Sequence, residues 1–304
     1  MTHHISLPDD RVAILGALDL ERIPDGVRPR RLPARTRLRL HDGWMNLVVS
    51  HAATVRLRLR TAARSLTLGV HVTVSEMNAS PLPASFDLAI DGTVLTRVPA
   101  TAGDVLSLAV DLADARLTPG PAETVRFDDL PAGVKDVEIW LPHSATVELR
   151  TLGSDAPVLA PTPPPSLAWV HYGSSFSHGL EAPAPTLTWP AVAALTTGAS
   201  LTNLGFAGDA MLDPEVARAI RDTSADLITL KVASPSSGRR RCESVPSSLP
   251  CTGSWTPSAK AIPTDRSCSS HRPLSPNWRP RPGPSPPTRT LDADTPRTPR
   301  TPGR

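Results

Sequence analysis

The sequence predicts an antiparallel β-sandwich, then an incomplete parallel α/β segment, then a disordered basic tail, and three observations carry that expectation. Between Arg37 and Arg150 apolar residues recur with a period of two. From Leu167 to Val232 short apolar runs alternate with helical patterns, and beyond Val232 the composition turns to Pro, Ser and Arg. The break is sharp: the last 72 of 304 residues hold 15 of the 35 prolines, all three cysteines (Cys242, Cys251, Cys268), and 11 Arg plus one Lys against four acids, a net +8. The first 232 residues therefore carry −5 of the formal +3. The sequence pI near 9.0 belongs to the tail and excludes nothing but a basic-protein reading of the body.

VRLRLR (Val55 to Arg60), LGVHVTV (Leu68 to Val74) and FDLAI (Phe86 to Ile90) alternate apolar and polar side chains, as half-buried strands do. The arginines of VRLRLR read as a solvated face. Asp91-Gly92 between FDLAI and TVLTRV predicts a two-residue hairpin, and VKDVEIWLP and ATVELRTL add two late strands, for about eight strands spaced as in a sandwich or jelly roll. APTPPPS then predicts a polyproline spacer. The expected division is a β-sandwich at 1–160, a linker at 161–166, an α/β segment at 167–232 and a tail at 233–304.

In the α/β segment LAWVHYG is a strand ending in Gly-Ser-Ser, WPAVAALTTG a helix with a glycine stop, and SLTNLG a second strand. DPEVARAIRD, with an Asp N-cap and Pro at its first helical position, is a second helix and DLITLKV a third, buried strand. Strands alternating with helices form parallel sheets, whose chemistry sits past the carboxyl ends of the strands. Those ends are Gly173-Ser174-Ser175 and Asn203 to Asp209.

No apolar run of about 18 residues occurs, so no membrane span is expected. The opening MTHHISLPDDR lacks a basic region followed by an apolar run, so a cytoplasmic location is expected. The irregular cysteines match neither a zinc spacing nor a disulfide framework, and no metal or cofactor is expected. Clustered Arg in the tail would give salt-dependent phosphate affinity, but no aromatic platform or groove-entering motif accompanies it, so no specific nucleic-acid partner is expected.

YGSSFSHG after a strand, NLGFAGDAML about thirty residues later and then DLITLKV resemble the SGNH/GDSL hydrolase family, in particular its subgroup with an N-terminal jelly-roll β-sandwich. The resemblance implies a flavodoxin-like hydrolase domain acting on a small-molecule acyl ester or glycoside ester. It implies Ser175 as nucleophile, with Ser174 in place of the more usual Asp, and Gly208 as a backbone donor to the oxyanion. Taken alone, Ser175 reads as a turn residue or helix cap, Gly205 and Gly208 as loop geometry, and Asn203 as a turn partner. His171 and His178 flank the serine; either could be proposed as base, and both read first as packing residues. The family's remaining blocks, an Asn soon after the third strand and an Asp-x-x-His, are missing: no Asp after Val232 has a His three residues on, and the only Asn there is Asn277. Without a base, a serine hydroxyl is a weak nucleophile.

The tail suggests a reason. Read in the other frame, with each hidden codon taking one visible codon's third base and the next codon's first two, the residues from Gly253 to Ser270 permit FLDTVREGHPDRPLLLV. The Asp at the Trp255/Thr256 junction is forced. With LRVRAFLPALHG upstream, this reads as an amphipathic helix, a polar turn and a buried strand, the next element of an α/β fold. The hydropathy pattern is firmer than the spelling, and a native disordered basic tail is the other reading. Two functions stay open: a serine esterase or acyltransferase by descent, catalytically incomplete in this chain, or a carbohydrate- or ligand-binding sandwich with a vestigial hydrolase domain.

Overall fold

Alternating apolar residues build most of the chain as β-structure. The computed structural model describes residues 3–40, 42–108, 115–163 and 167–232. The first strands are β1 (His3–Ser6), β2 (Ala13–Leu15), β3 (Asp19–Ile23) and β4 (Gly26–Arg30), followed by helices α1 (Ala34–Arg37) and α2 (Gly43–Ser50). Then come β5 (Arg56–Thr61), β6 (Leu66–Met77), β7 (Ser80–Pro81), β8 (Ser85–Ile90), β9 (Thr93–Pro99), β10 (Asp104–Leu108) and β11 (Ala115–Thr118). They continue with β12 (Glu123–Phe127), β13 (Lys135–Trp140), β14 (Ala145–Ser154) and β15 (Val158–Leu159). The final stretch holds β16 (Ala168–Gly173), α3 (Ser175–His178), a 3-10 turn (Pro185–Leu187), α4 (Trp189–Thr197), β17 (Ser200–Gly205), α5 (Pro214–Arg221) and β18 (Leu227–Lys231).

Among the described residues these strands form three sheets. The first runs β11-β10-β6-β14-β4-β3 with β1 added to β14 and β7 and β12 to β6; the second runs β15-β5-β13-β8-β9 with β2 added to β5. Pairing in both is antiparallel except for β10 beside β6, where Val105 lies parallel to Val74. Alternation explains the packing. Leu57, Leu59, Phe86, Leu88, Val137 and Ile139 of one sheet share a buried core with Leu66, Leu68, Val70, Val72, Val147 and Leu149 of the other. Each such side chain is worth about 1.5–3 kcal/mol of transfer energy. The hairpin expected at Asp91-Gly92 joins β8 to β9, with both residues at positive φ (48° and 81°), the conformation that follows strand twist.

Two stretches depart from the period-two reading. Residues 43–50 form a helix, because Asp42 caps it through the N–H groups of Trp44 (2.7 Å) and Met45 (3.1 Å), and Met45, Val48 and Val49 fall three and four apart on one buried face. The arginines of β5 are not one solvated face: Arg60 is exposed, Arg58 half-buried and Arg56 only 2% exposed.

The third sheet is parallel, in the order β17-β16-β18, with His171 of the central strand between Asn203 and Thr229. Its core is not wholly its own. Val170, Tyr172, Leu204, Phe206, Val216 and Ile220 cluster with Leu32, Met45, Val48 and Val49, so α2 and Leu32, two residues past β4, supply part of the apolar cover of this sheet. Trp169, Ala194, Ala199 and Leu201 pack α4 near the beginnings of the strands. No helix of the described residues is long and apolar enough to cross a membrane. Part of the expected linker (164–166) and the whole expected tail (233–304) lie outside the described residues.

Candidate active site

Glycine fixes how the chain leaves β16. A Cβ at Gly173 would lie 2.1 Å from Ser177 Oγ, and one at Gly205, its register partner on β17, would lie 2.5 Å from both His178 N and the Ser177 carbonyl carbon. With no side chains there, α3 turns tightly onto the end of β17. Asn203 then locks the turn: its Nδ2 donates to the Ser177 carbonyl (2.8 Å) and its Oδ1 accepts from the Gly205 N–H (2.9 Å). Phe206 N–H donates to the Gly173 carbonyl (2.8 Å), binding the two strand ends together.

Ser175 begins α3 and is exposed. It opens on a cleft of about 380 Å³ lined also by Phe176, Gly179, Leu180, Glu181, Ala182, Leu187, Thr188 and Trp189. Gly208 is exposed on the loop after β17, the neighbouring strand, at φ +76°. Ser175 and Gly208 thus follow the carboxyl ends of adjacent parallel strands, two residues past Gly173 and three past Gly205. Among the described residues the Ser175 hydroxyl makes no hydrogen bond to a histidine; its carbonyl accepts from Gly179 N–H (2.8 Å).

Both flanking histidines are engaged elsewhere. His171 Nε2 meets the Ser177 hydroxyl and its Nδ1 the Thr229 hydroxyl, each at 2.8 Å, while Trp169 Nε1 donates to Thr229 (2.7 Å). That Ser–His contact has the spacing of an activated nucleophile, but Ser177 is fully buried, His171 is 1% exposed, and burial pushes the imidazole down to about 4. The pair is closed off from solvent, as a packing contact is. His178 donates from Nε2 to the His143 carbonyl (3.1 Å) and accepts at Nδ1 from Ala207 N–H (3.4 Å). Burial first, then Arg31 and His51, hold it well below the usual histidine range. Neither ring is free to take a proton from Ser175.

The sandwich reaches into this segment through side chains that sequence reasoning did not single out. Arg31, fully buried, donates to the carbonyls of Asn203 (3.2 Å), Gly205 (2.6 Å), His51 (2.7 Å) and Val48 and lies 5.0 Å over the Phe206 ring. Burial lowers its guanidinium to about 9, so it stays charged at neutral pH. Arg56 donates to the Leu201 carbonyl (3.2 Å) and lies 4.9 Å over Trp140. Trp44 Nε1 donates to the Ala207 carbonyl (2.6 Å), beside Gly208. Asp87, also fully buried, takes Arg97 (2.7 Å) and the Thr186 N–H (3.3 Å) and hydroxyl, pinning the 3-10 turn that carries Leu187 into the cleft. One signal could have found Arg31: the buried phase of Val27 and Pro29 in β4 continues onto it. The alternation in VRLRLR gives no such hint for Arg56, because Arg58 and Arg60 share its phase.

A second cleft, of about 330 Å³, lies where β5 and β13 meet the end of α4, with Arg56, Arg58, Asp136 and Glu138 around Trp140. No group of three or more His, Cys, Asp or Glu among the described residues could hold a metal ion.

Residues 167–238 match the sequence model of the GDSL-like Lipase/Acylhydrolase family. A salicylyl-acyltransferase, SsfX3, from a tetracycline biosynthetic pathway is 29% identical with a TM-score of 0.64, over 76% of this chain and 62% of its own. A protein from Bacteroides ovatus ATCC 8483, named as a GDSL-like lipase, is 17% identical with a TM-score of 0.58 over 76% of this chain and 64% of its own, a likeness of fold. The chain therefore spans less than two thirds of the length of either structure. A search of curated proteins finds no match. The resemblance read from YGSSFSHG and NLGFAGDAML is borne out by the family match and these neighbours.

Proposed function

Taking residues 167–238 as a segment of the GDSL-like lipase/acylhydrolase family, we propose that the chain descends from a serine esterase or acyltransferase and is itself catalytically incomplete. In this reading residues 1–160 are a jelly-roll-like sandwich and 167–232 the first part of a flavodoxin-like hydrolase domain. Ser175 attacks an acyl carbonyl, and the Gly208 N–H donates to the oxyanion that forms. The observation that carries it is the placement of an exposed serine in a cleft past the end of β16, with an exposed, positive-φ glycine past the end of the neighbouring strand. Preorganised donors at such a point are worth about 3–4 kcal/mol of barrier.

The incompleteness rests on the base. Both histidines of the described hydrolase segment are buried with their ring nitrogens spent on Ser177, Thr229, His143 and Ala207. The Asp-x-x-His block is missing from the sequence and is the kind of element the other frame after Val232 would restore. The acyl-transfer chemistry named for SsfX3 favours an acyl ester as substrate class. A binding role for the sandwich is the second reading, favoured by the Arg- and carboxylate-lined cleft around Trp140.

The test is hydrolysis of a short-chain nitrophenyl ester by the chain as it stands, by a gene restored to the other frame after Val232, and by Ser175→Ala in the restored protein. The reading expects activity only in the restored protein with Ser175 intact. Activity that survives Ser175→Ala would overturn the nucleophile, and full activity in the present chain would overturn the incompleteness.

A further inference from the structure

Large apolar side chains are exposed in unusual density around Ser175. Phe176 is 74% exposed, Leu187 49% and Trp189 41%, and all three line the cleft with the serine. Isolated exposed apolar residues need no explanation, but several converging on one concave site do.

The positions of these side chains are held from outside the cleft. The Trp189 ring rests edge-on against buried His171 (4.8 Å) and near Trp169 (6.3 Å), so its indole is braced from behind. Phe176 lies beneath the Lys231 ammonium, 4.7 Å from the ring centroid. Leu187 sits on the 3-10 turn that buried Asp87 pins through Thr186. The site is therefore built before any ligand arrives, which lowers the ordering cost of binding.

The lining also sets a polarity. Among the described lining residues Glu181 is the one ionisable side chain, with Thr188 and Ser175 the only hydroxyls. A carboxylate or phosphate would meet Glu181 in the lining itself, while the Lys231 ammonium is engaged over the Phe176 ring, and a sugar would find few partners for its hydroxyls. A volume near 380 Å³ is at the small end of ligand sites: ample for one ring with its ester, more than an acetyl group fills, and short for an oligomer.

We propose that this cleft is the acyl subsite and takes an uncharged aromatic acyl group, stacked between Phe176 and Trp189 with its carbonyl toward Ser175. The proposal rests on Ser175 as the reacting residue, but its binding step does not need the missing base and is open to test in the chain as it stands.

The experiment is a ligand-observed NMR titration of the full chain with ethyl benzoate, ethyl hexanoate, ethyl acetate and benzoate ion. Ethyl benzoate is expected to bind most tightly. Phe176→Ala, at a position too exposed to threaten folding, is expected to weaken it about fivefold, the size of one lost aromatic contact. Equal binding of benzoate and acetate esters, preference for hexanoate, preference for the benzoate ion, or indifference to Phe176→Ala would each overturn the proposal. If instead ethyl benzoate binds as expected while the frame-restored protein hydrolyses esters without Ser175, the nucleophile assignment fails and the aromatic subsite stands.

Discussion

The two edges of the parallel sheet are finished in opposite ways. On β17 the carbonyls of Leu201, Asn203 and Gly205, two residues apart and so on one edge, are taken by Arg56 and Arg31 from the sandwich. On β18 Leu227 (41%), Ile228 (37%) and Leu230 (40%) are exposed, as is Val232 (54%) just past it, and no further strand pairs with it among the described residues. Parallel sheets are ordinarily buried on both faces, and an open edge with apolar side chains invites pairing with other chains. The difference teaches that residues 1–160 do for one edge what following strands would do for the other. Residues 167–232 pack on the sandwich through two guanidinium groups and through Leu32, Met45, Val48 and Val49 in a shared core.

The comparison breaks most directly by cutting the chain. A 1–160 fragment is expected to keep β-sheet circular dichroism and melt cooperatively, since its two-sheet core is complete, with α2 fraying where its buried face is laid open. A 161–232 fragment is expected to show no cooperative transition, because three strands with half a core cannot offset ordering entropy. A folded 161–232 fragment would mean the packing on the sandwich is incidental.

The next largest effect is expected from Arg31→Ala, which strands the buried carbonyls of Val48, His51, Asn203 and Gly205 at once. Unpaired buried acceptors of this kind cost about 3–5 kcal/mol together. Denaturant midpoints give the total, and amide exchange says where it falls. Loss of protection across β16–β18 with the sandwich strands still protected would sharpen the comparison, and uniform loss would blur it.

How much of this was legible in the sequence follows from what each signal depends on. The sandwich strands and the Asp91-Gly92 hairpin were readable because period two and turn chemistry are local. The parallel segment was readable because a Gly stop, a Pro at the first helical position and apolar runs alternate, but DLITLKV, read as a buried strand, is exposed because no strand pairs with its outer edge among the described residues, and Asp213 makes no side-chain cap bond. Helix α2 was not, since eight residues with Trp44, Val48 and Val49 carry little helical propensity and its fold depends on the Asp42 cap and a partner core. Ser175 and Gly208 were singled out through the family blocks and stay a proposal, but the engagement of His171 and His178 was not visible, because Ser177, Thr229, His143 and Ala207 reach them only in three dimensions. The role of Arg31 lay hidden in a phase count that no local rule would have trusted against its charge.

A gentler perturbation is acid. Burial holds His51 at about 3 and His143 and His171 at about 4, and lowers His178 as well, against 6.5 for an exposed imidazole. Below pH 6.5 the unfolded chain takes up protons at these sites that the folded chain refuses, so stability falls as pH drops from about 6.5 toward 4 and is insensitive to these groups above 7. Half-buried Asp213, shifted upward chiefly by desolvation, opposes this weakly at the acid end. The melting temperature should decline steadily through pH 6 and 5. His178 bonds across to the His143 carbonyl and rings with His51 at 5.3 Å, so the parallel segment should lose exchange protection before the sandwich does. A flat profile over that range would contradict the buried, neutral state of all four rings.

The smallest expected effect separates the two serines of α3. Ser177→Ala removes the partner of His171 Nε2 inside a fully buried contact and should cost about 1–3 kcal/mol, because the ring nitrogen is left without a bond. Ser175→Ala touches an exposed hydroxyl with no hydrogen-bond partner among the described residues and should stay within about 0.5 kcal/mol. Differential scanning calorimetry of the two variants checks this in the chain as it stands. In a frame-restored protein the order should invert: Ser175→Ala abolishes ester hydrolysis while Ser177→Ala lowers it only as far as stability falls. If Ser177→Ala were the neutral substitution and Ser175→Ala the costly one, the buried pair would not be the structural contact its geometry describes, and the cleft would have to be assigned to packing instead of chemistry.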